Sequence, residues 1–317
     1  MLRVPNKTPT GRRPDARGLA ALILGASLLG FAAMLVRWAA PAGPLAVGFY
    51  RMLFALPLVA VLAWRSRTPG PAAPRLWAVL AGGCFVADLW MWHTALHLTS
   101  AANATLLVTL APIWVALVAV LWMGARLRRR FWAGMALATA GALVLGLAQG
   151  ARLGTGLGEL LGALASLAYA AFTLALGRAR RNLNTLEALF WVVLCCTVLF
   201  GVLGWARGEA FTGYPHRAWW ALLALGLGVQ VGAWWLITWG LGHVPTSMGA
   251  MGLMTQPVAT VILGWLLLSE AMRPVQSLGA LLVLAGVTLC ALTPPAPVPA
   301  EGSPQNQKAN QPPMNTE

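Results

Sequence analysis

The fold is decided by residues 99–145, which read TSAANATLLVTLAPIWVALVAVLWMGARLRRRFWAGMALATAGALVL. Two long apolar runs in this stretch are separated by a basic group, Arg126, Arg128, Arg129 and Arg130. A helix needs about 20 apolar residues to cross the hydrocarbon core of a bilayer. Each run therefore predicts one membrane-spanning helix, and the arginines between them are typical of a cytoplasmic loop.

The same pattern returns in residues 244–289, VPTSMGAMGLMTQPVATVILGWLLLSEAMRPVQSLGALLVLAGVTL. A shift of 145 residues superimposes the prolines and glycines of the two stretches: Pro112 on Pro257, Gly134 on Gly279, and Ala140-Gly141 on Ala285-Gly286. Small apolar residues recur by chance in any membrane helix, but matched prolines together with matched glycines indicate an internal repeat.

Apolar runs continue on both sides of these stretches. We predict ten spanning helices, at residues 18–38, 45–64, 76–96, 101–123, 131–147, 157–177, 188–205, 219–240, 247–268 and 275–292. Five helices in each half would place the second half upside down in the membrane, and inverted repeats are typical of secondary transporters. The predicted fold is therefore an all-α membrane protein with ten transmembrane helices in two inverted five-helix repeats.

This pattern divides the chain into four parts. Residues 1–17 form a basic N-terminal segment, residues 18–149 the first repeat, residues 150–292 the second repeat, and residues 293–317 a polar, proline-rich tail that we expect to be disordered. Arginines are concentrated in loops on the N-terminal side of the membrane, which predicts that both termini are cytoplasmic. The expected location is the inner membrane of a bacterial-type cell.

Composition supports a membrane protein. Hydrophobic residues make up 59% of the 317 residues and charged residues 9%, whereas soluble proteins contain about 25% charged residues. The formal net charge of +14 would suggest nucleic-acid binding in a soluble protein. Because the basic residues lie in short clusters between apolar runs, we expect no nucleic-acid partner. The expected partners are membrane lipid and a small-molecule substrate.

The two quoted stretches resemble the C-terminal part of an EamA repeat, from the drug/metabolite transporter (DMT) superfamily, and the resemblance extends over residues 18–292. It implies a ten-helix permease, and many such permeases export amino acids or other metabolites. The family usually has an acidic residue after the fourth helix of each repeat. Glu270 matches that position in the second half, whereas Ala125 replaces it in the first. Arg51 matches a basic position common in the family.

Asp88 is the main candidate for chemistry, because it lies deep in the third predicted span. Ionisable groups inside spans are costly and are often functional. Trp92 shares its helix face, and a carboxylate beside an aromatic ring could hold an amine or exchange a proton. Alternatively, Asp88 forms an ion pair with Arg51 in the second span that only holds the helices together.

Polar and aromatic residues on the third, fourth, eighth and ninth spans suggest a central cavity. The candidates around a solute, besides Asp88 and Trp92, are Asn103, Gln230, Trp234 and Gln256. Amide side chains can also cross-link helices, and Trp234 could face lipid instead. Pro112 and Pro257 remove backbone donors inside their spans, which predicts kinks that either border the cavity or serve packing alone.

Other classes of function have weaker support. A membrane-embedded enzyme acting on a lipid is the main alternative, but such enzymes generally need paired carboxylates, a metal or an activated nucleophile. Neither a metal-ligand pattern nor a nucleotide-binding loop is visible, so we expect no metal and no cofactor. Gly141 and Gly286 would permit close helix contacts, which leaves a homodimer open.

Overall fold

A computed structural model of the chain describes residues 15–66, 73–122, 124–125, 127–151, 156–259, 261–262 and 273–293. The regular structure in these ranges is helical. Most of the two predicted terminal segments, together with Glu270, lies outside the described residues.

Thirteen α-helices and one π-helical segment make up the described regular structure, besides helical residues 256–259 and 261–262. In chain order they are α1 (Ala16–Leu29), α2 (Ala32–Trp38), α3 (Pro44–Arg65), α4 (Ala73–Leu98), α5 (Ala101–Val108), α6 (Ala111–Leu121), α7 (Arg129–Ala148), α8 (Leu157–Ala179), α9 (Thr185–Ala206), α10 (His216–Ala224), the π segment (Leu225–Ala233), α11 (Trp234–Leu241), α12 (Thr246–Leu253) and α13 (Pro274–Ala291).

Nine helical stretches of the described residues are long and apolar enough to cross a membrane. They correspond to nine of the ten predicted spans, with α1–α2, α5–α6 and α10–α11 each forming one stretch. The other predicted span, at residues 247–268, falls partly on residues outside the description. A multi-pass, all-helical membrane protein follows from these stretches.

Several spans are interrupted near their middle. The helix breaks at Thr109 and Leu110, directly before α6 and its Pro112, and again at Met254 and Thr255, before the segment that contains Pro257. Proline cannot donate a backbone hydrogen bond, so a span that contains it tends to break or kink. The eighth span contains a nine-residue π segment instead, and α1 is separated from α2 by two residues.

A close contact between backbones joins α7 to α13. A β-carbon on Gly134 would lie 2.7 Å from the carbonyl oxygen of Gly286, and one on Gly141 would lie 2.7 Å from that of Gly279. Residue numbers rise along one helix as they fall along the other, so the two helices are antiparallel. Gly141 and Gly286, the candidates for a dimer contact, are therefore used inside the chain.

Most other large contacts also join one half of the sequence to the other. In order of the predicted spans, the third packs on the sixth (α4 on α8), the second on the seventh (α3 on α9), the first on the eighth (α1 on the π segment and α11), and the fourth on the ninth (α6 on α12). If every span is replaced by its counterpart in the other half, five spans away, the pair of the third and sixth spans becomes the pair of the eighth and first. The other two pairs are converted into themselves. The helices of the two halves are thus interleaved with a two-fold pattern.

Candidate solute cavity

A cavity lies near the middle of the spans. Its lining comes from two sets of helices that contact one another within each set, α4, α5, α6 and α8 in one and α1, α11 and α12 in the other, together with Ala32 of α2 and Arg51 of α3. The polar and aromatic lining includes Arg51, Phe85, Asp88, Trp92, Tyr169, Trp234 and Gln256. Pro112 also lines it, beside the break between α5 and α6.

The uninterrupted helix α4 positions three lining residues on one face. Phe85, Asp88 and Trp92 are three and four residues apart, the spacing at which side chains of a helix lie above one another. Asp88 is 4% exposed, and within the part of the chain that the structure describes its carboxyl group has no hydrogen bond and no ion pair within 4.0 Å. Among the described residues, this carboxyl group therefore borders the cavity without a hydrogen-bonded or ion-paired partner.

Arg51 lies in the same cavity but is directed to a different partner. Its side chain is 1% exposed, and its Nε donates a hydrogen bond of 3.0 Å to Oε1 of Gln230 on the π segment. Its guanidinium carbon lies 5.9 Å from the centre of the Phe85 ring, within reach of a cation–π interaction. The structure thus brings Arg51 and Asp88 to one cavity, although among the described residues they form no direct ion pair.

Aromatic rings form a continuous wall beside these charges. The Phe85 ring stacks on Phe172 with 4.5 Å between centroids and meets the Trp234 ring edge-on at 4.8 Å. The Tyr169 ring lies 6.2 Å from that of Trp234. Trp234 is 3% exposed, so the structure places it inside the protein and not against lipid. No sequence pattern singles out Tyr169, because it is a lone tyrosine in an apolar run.

Two predicted cavity residues lie outside the lining. Gln230 is fully buried behind Arg51. The Asn103 amide donates to Oγ1 of Thr99 at 3.0 Å and to Oε1 of Glu159 at 2.8 Å, and the Thr99 hydroxyl donates to the same Glu159 oxygen at 2.6 Å. Asn103 therefore links the start of α5 to the start of α8, at the end of the bundle.

Carboxylates that the sequence analysis missed also join the halves at the ends of the bundle. Nε of Arg75 lies 2.9 Å from Oε1 of Glu187, linking the beginnings of α4 and α9. At the opposite end, the Glu209 carboxylate accepts hydrogen bonds from the backbone N–H groups of Leu45 at 3.2 Å and Ala46 at 2.8 Å. Asn184 precedes Glu187 by three residues, a helix-start pattern that could have identified the beginning of α9.

The loop that carries Glu209 is held in place by tyrosines. The Tyr50 hydroxyl donates to the Phe211 carbonyl, and the Tyr214 hydroxyl donates to the Ala210 carbonyl. Burial raises the pKa of the Tyr214 phenol to about 12, so this hydroxyl remains a donor at neutral pH. The loop thereby closes one end of the bundle over α3.

Comparisons with known proteins agree with this architecture. A protein of known crystal structure superposes on the chain with a TM-score of 0.72 at 20% sequence identity, over 87% of this chain and 95% of the other, which shows a shared fold. No curated protein sequence matches the chain. The model of the EamA-like transporter family matches twice, over residues 16–147 and 156–292. The resemblance found in the sequence is confirmed: this chain, with its two repeats, belongs to the EamA-like transporter family of the DMT superfamily.

Proposed function

We propose that this protein is a secondary transporter that moves a small organic solute across the membrane by alternating access. The observation that carries the proposal is the cavity near mid-span, which contains a buried arginine and a buried aspartate beside an aromatic wall. Charged side chains at membrane depth are costly, and they commonly mark the path of a substrate or an ion.

The proposed architecture is ten spans in two inverted repeats. The contacts between α7 and α13 support it, because the shift of 145 residues converts the contact of Gly134 with Gly286 into that of Gly141 with Gly279. A contact that maps onto itself in this way is what a two-fold axis between antiparallel helices produces. Arg65, Arg75 and Arg178 lie at one end of the bundle, which supports cytoplasmic termini in a bacterial-type inner membrane.

The moving units are best defined by helix contacts. Around the cavity, α4, α5, α6 and α8 form one group of contacting helices and α1, α11 and α12 form another, and α12 also contacts α6 and α8. Each group takes helices from both halves of the sequence, so the five-helix halves would not move as separate blocks. We propose that these two interleaved groups rock against each other, with the pairs α3–α9 and α7–α13 beside them.

An amino acid or a related metabolite suits the cavity. Arg51 is available for a carboxylate, Asp88 for an amine, and the rings of Phe85, Tyr169 and Trp234 for an apolar side chain. Export is the direction we propose, by analogy with many members of the family. The driving force would be an ion gradient, exchange, or the gradient of the solute itself.

A metabolite comparison tests this function. Cells that contain or lack the protein would be compared for solutes inside and outside, and each solute that differs would be offered to proteoliposomes containing the purified full chain. We expect at least one small organic solute to be taken up faster than by liposomes without protein. Folded protein that transports nothing across a broad panel would contradict the proposal.

A further inference from the structure

We infer that Gln230 holds Arg51 away from Asp88, so that the Asp88 carboxylate is left to bind a cationic group of the solute, such as a protonated amine. The inference rests on the proposed transport function and assigns roles within the same cavity. Asp88 would contact the solute, whereas Gln230 would be a positioning residue that acts through Arg51.

The first step concerns the state of Asp88. Its side chain is more than nine-tenths buried, and its carboxyl group borders the cavity with no hydrogen-bond or ion-pair partner among the residues that the structure describes. A buried carboxylate without a partner is costly. A cation that enters the cavity would supply the missing partner, and the neighbouring Trp92 and Phe85 rings favour a cation as well.

The second step concerns the cation already present. Arg51 is a candidate partner for Asp88, because both side chains line one cavity. Its Nε is instead bonded to Gln230 at 3.0 Å, and its guanidinium lies over the Phe85 ring. The N–H groups of a guanidinium lie in one rigid plane. The hydrogen bond of Nε to Gln230 and the contact with the Phe85 ring therefore also set the direction of the remaining N–H groups.

The third step concerns Gln230 itself. It is fully buried on the π segment, and among the described residues its Nε2 has no hydrogen-bond partner. Leaving an amide donor unpaired in the interior is unfavourable, so packing alone does not explain a glutamine at this position. The contact that the structure shows for Gln230 is the hydrogen bond it accepts from Arg51. It also lies on a π segment, and such segments are frequent at functional sites.

These steps lead to a competition. If Gln230 no longer accepts from Arg51, the guanidinium is free to pair with Asp88 inside the same cavity. Arg51 and the cationic solute would then compete for one carboxylate. Removing Gln230 should therefore weaken the binding of amines through Arg51, and removing Arg51 as well should cancel the effect.

The test measures binding of two matched probes, 2-phenylethylamine and phenylacetate, to the purified full chain by isothermal titration calorimetry. We expect the amine to bind the parent protein more tightly than the carboxylate, and Asp88→Asn to weaken amine binding about 10-fold or more. Gln230→Leu should weaken it about 5-fold or more, whereas Gln230→Glu, which keeps an acceptor for Arg51, should stay within about 2-fold.

The double variant decides whether Gln230 acts through Arg51. Amine affinity of Arg51→Met with Gln230→Leu should equal that of Arg51→Met alone within about 2-fold. A double variant that stays weaker would overturn the inference, because Gln230 would then act by another route. Unfolding temperatures measured without probe identify any variant that fails to fold. If Gln230→Leu fails to fold, Gln230→Met would be used in its place.

Two further results would also overturn the inference: a folded parent protein that does not bind the amine, and Asp88→Asn protein that binds it as well as the parent. Neither result would remove the proposed transport function, because the metabolite comparison is independent of the charge of the solute. Conversely, if the parent protein transported none of the solutes tested, the proposed function would be contradicted regardless of how the two probes bind.

Discussion

Gly141 on α7 lies against the carbonyl group of Gly279 on α13, so closely that a β-carbon on Gly141 would come within 2.7 Å of that oxygen. The same β-carbon would lie 2.6 Å from the backbone nitrogen of Val283. Since both atoms belong to the backbone, a side chain at residue 141 could be accommodated only by moving one helix away from the other.

Gly141→Ala should therefore destabilise the protein, although alanine is the better helix former. Overpacking costs about 1–3 kcal/mol, which exceeds the gain of about 1 kcal/mol in helix propensity. Gly83→Ala on α4 is the matched control, because a β-carbon there would have no atom within 4 Å. Thermal unfolding in detergent should show a lower midpoint for Gly141→Ala and an unchanged or higher midpoint for Gly83→Ala. Equal midpoints for the two variants would contradict the proposed contact.

Asp88→Asn should abolish transport of the solute identified from metabolite comparison, while unfolding stays cooperative. The amide keeps the shape of the side chain but cannot carry the negative charge that a cation or a proton requires. Asp88→Glu, which keeps the charge, should retain part of the activity. Initial rates in proteoliposomes provide the measurement. Full transport by Asp88→Asn with lowered stability would instead indicate a structural role.

Glu209→Ala should destabilise the beginning of α3. The carboxylate accepts from the backbone N–H groups of Leu45 and Ala46, and loss of a helix cap costs about 0.5–2 kcal/mol. Glu209→Gln keeps one acceptor oxygen and should cost less than Glu209→Ala. Chemical denaturation in mixed micelles would rank the three proteins. If the two variants were equally stable, these hydrogen bonds would contribute nothing measurable.

Arg75 and Glu187 should show energetic coupling. Their contact at 2.9 Å joins α4 to α9, with side-chain exposures of 34% and 4%. Partly exposed ion pairs contribute about 0.2–1 kcal/mol, so we expect a coupling near the upper end of that range. A double-mutant cycle of Arg75→Gln and Glu187→Gln, measured by thermal unfolding, isolates the value. Strictly additive variants would rule out a stabilising pair.

Cysteine labelling tests the proposed orientation. Asn182→Cys follows α8 and His216→Cys begins α10, so the two exposed positions should lie on opposite sides of the membrane. A membrane-impermeant maleimide should label His216→Cys in intact cells, but Asn182→Cys only after permeabilisation. The parent protein controls for its four native cysteines. Labelling of Asn182→Cys from outside would reverse the proposed orientation.

Periodic features of the chain could be predicted well. Continuous apolar runs predicted the spans, because the length of a helix that crosses a bilayer is fixed by the thickness of the hydrocarbon core. The matched Pro112 and Pro257 predicted where two spans deviate, and the structure interrupts the helix shortly before each. The π segment gives no comparable signal, because its residues have the same apolar composition as any span.

Partners across the fold were harder to predict. Asp88, Trp92, Trp234 and Gln256 do line one cavity, since polar residues within spans turn away from lipid. Asn103 could not be placed, because its partner Glu159 is 56 residues away and periodicity carries no information on which helices meet. Glu209 was missed for the same reason. From sequence alone a carboxylate in a loop is expected to be solvent-exposed, and only the fold shows that it lies at the start of α3.

The interruptions of the spans are unevenly distributed around the cavity. Three of them, the break between α1 and α2, the π segment and the break after α12, lie in the spans that contain α1, α11 and α12. The other set of lining helices contains the break between α5 and α6, but also α4 and α8, which run without interruption for 26 and 23 residues. A continuous ladder of hydrogen bonds resists bending, whereas a broken ladder bends at the gap. We therefore expect the two sets of helices to differ in stiffness: during a transport cycle most of the bending should fall on the spans of α1, α11 and α12, while Asp88 stays on the continuous helix α4.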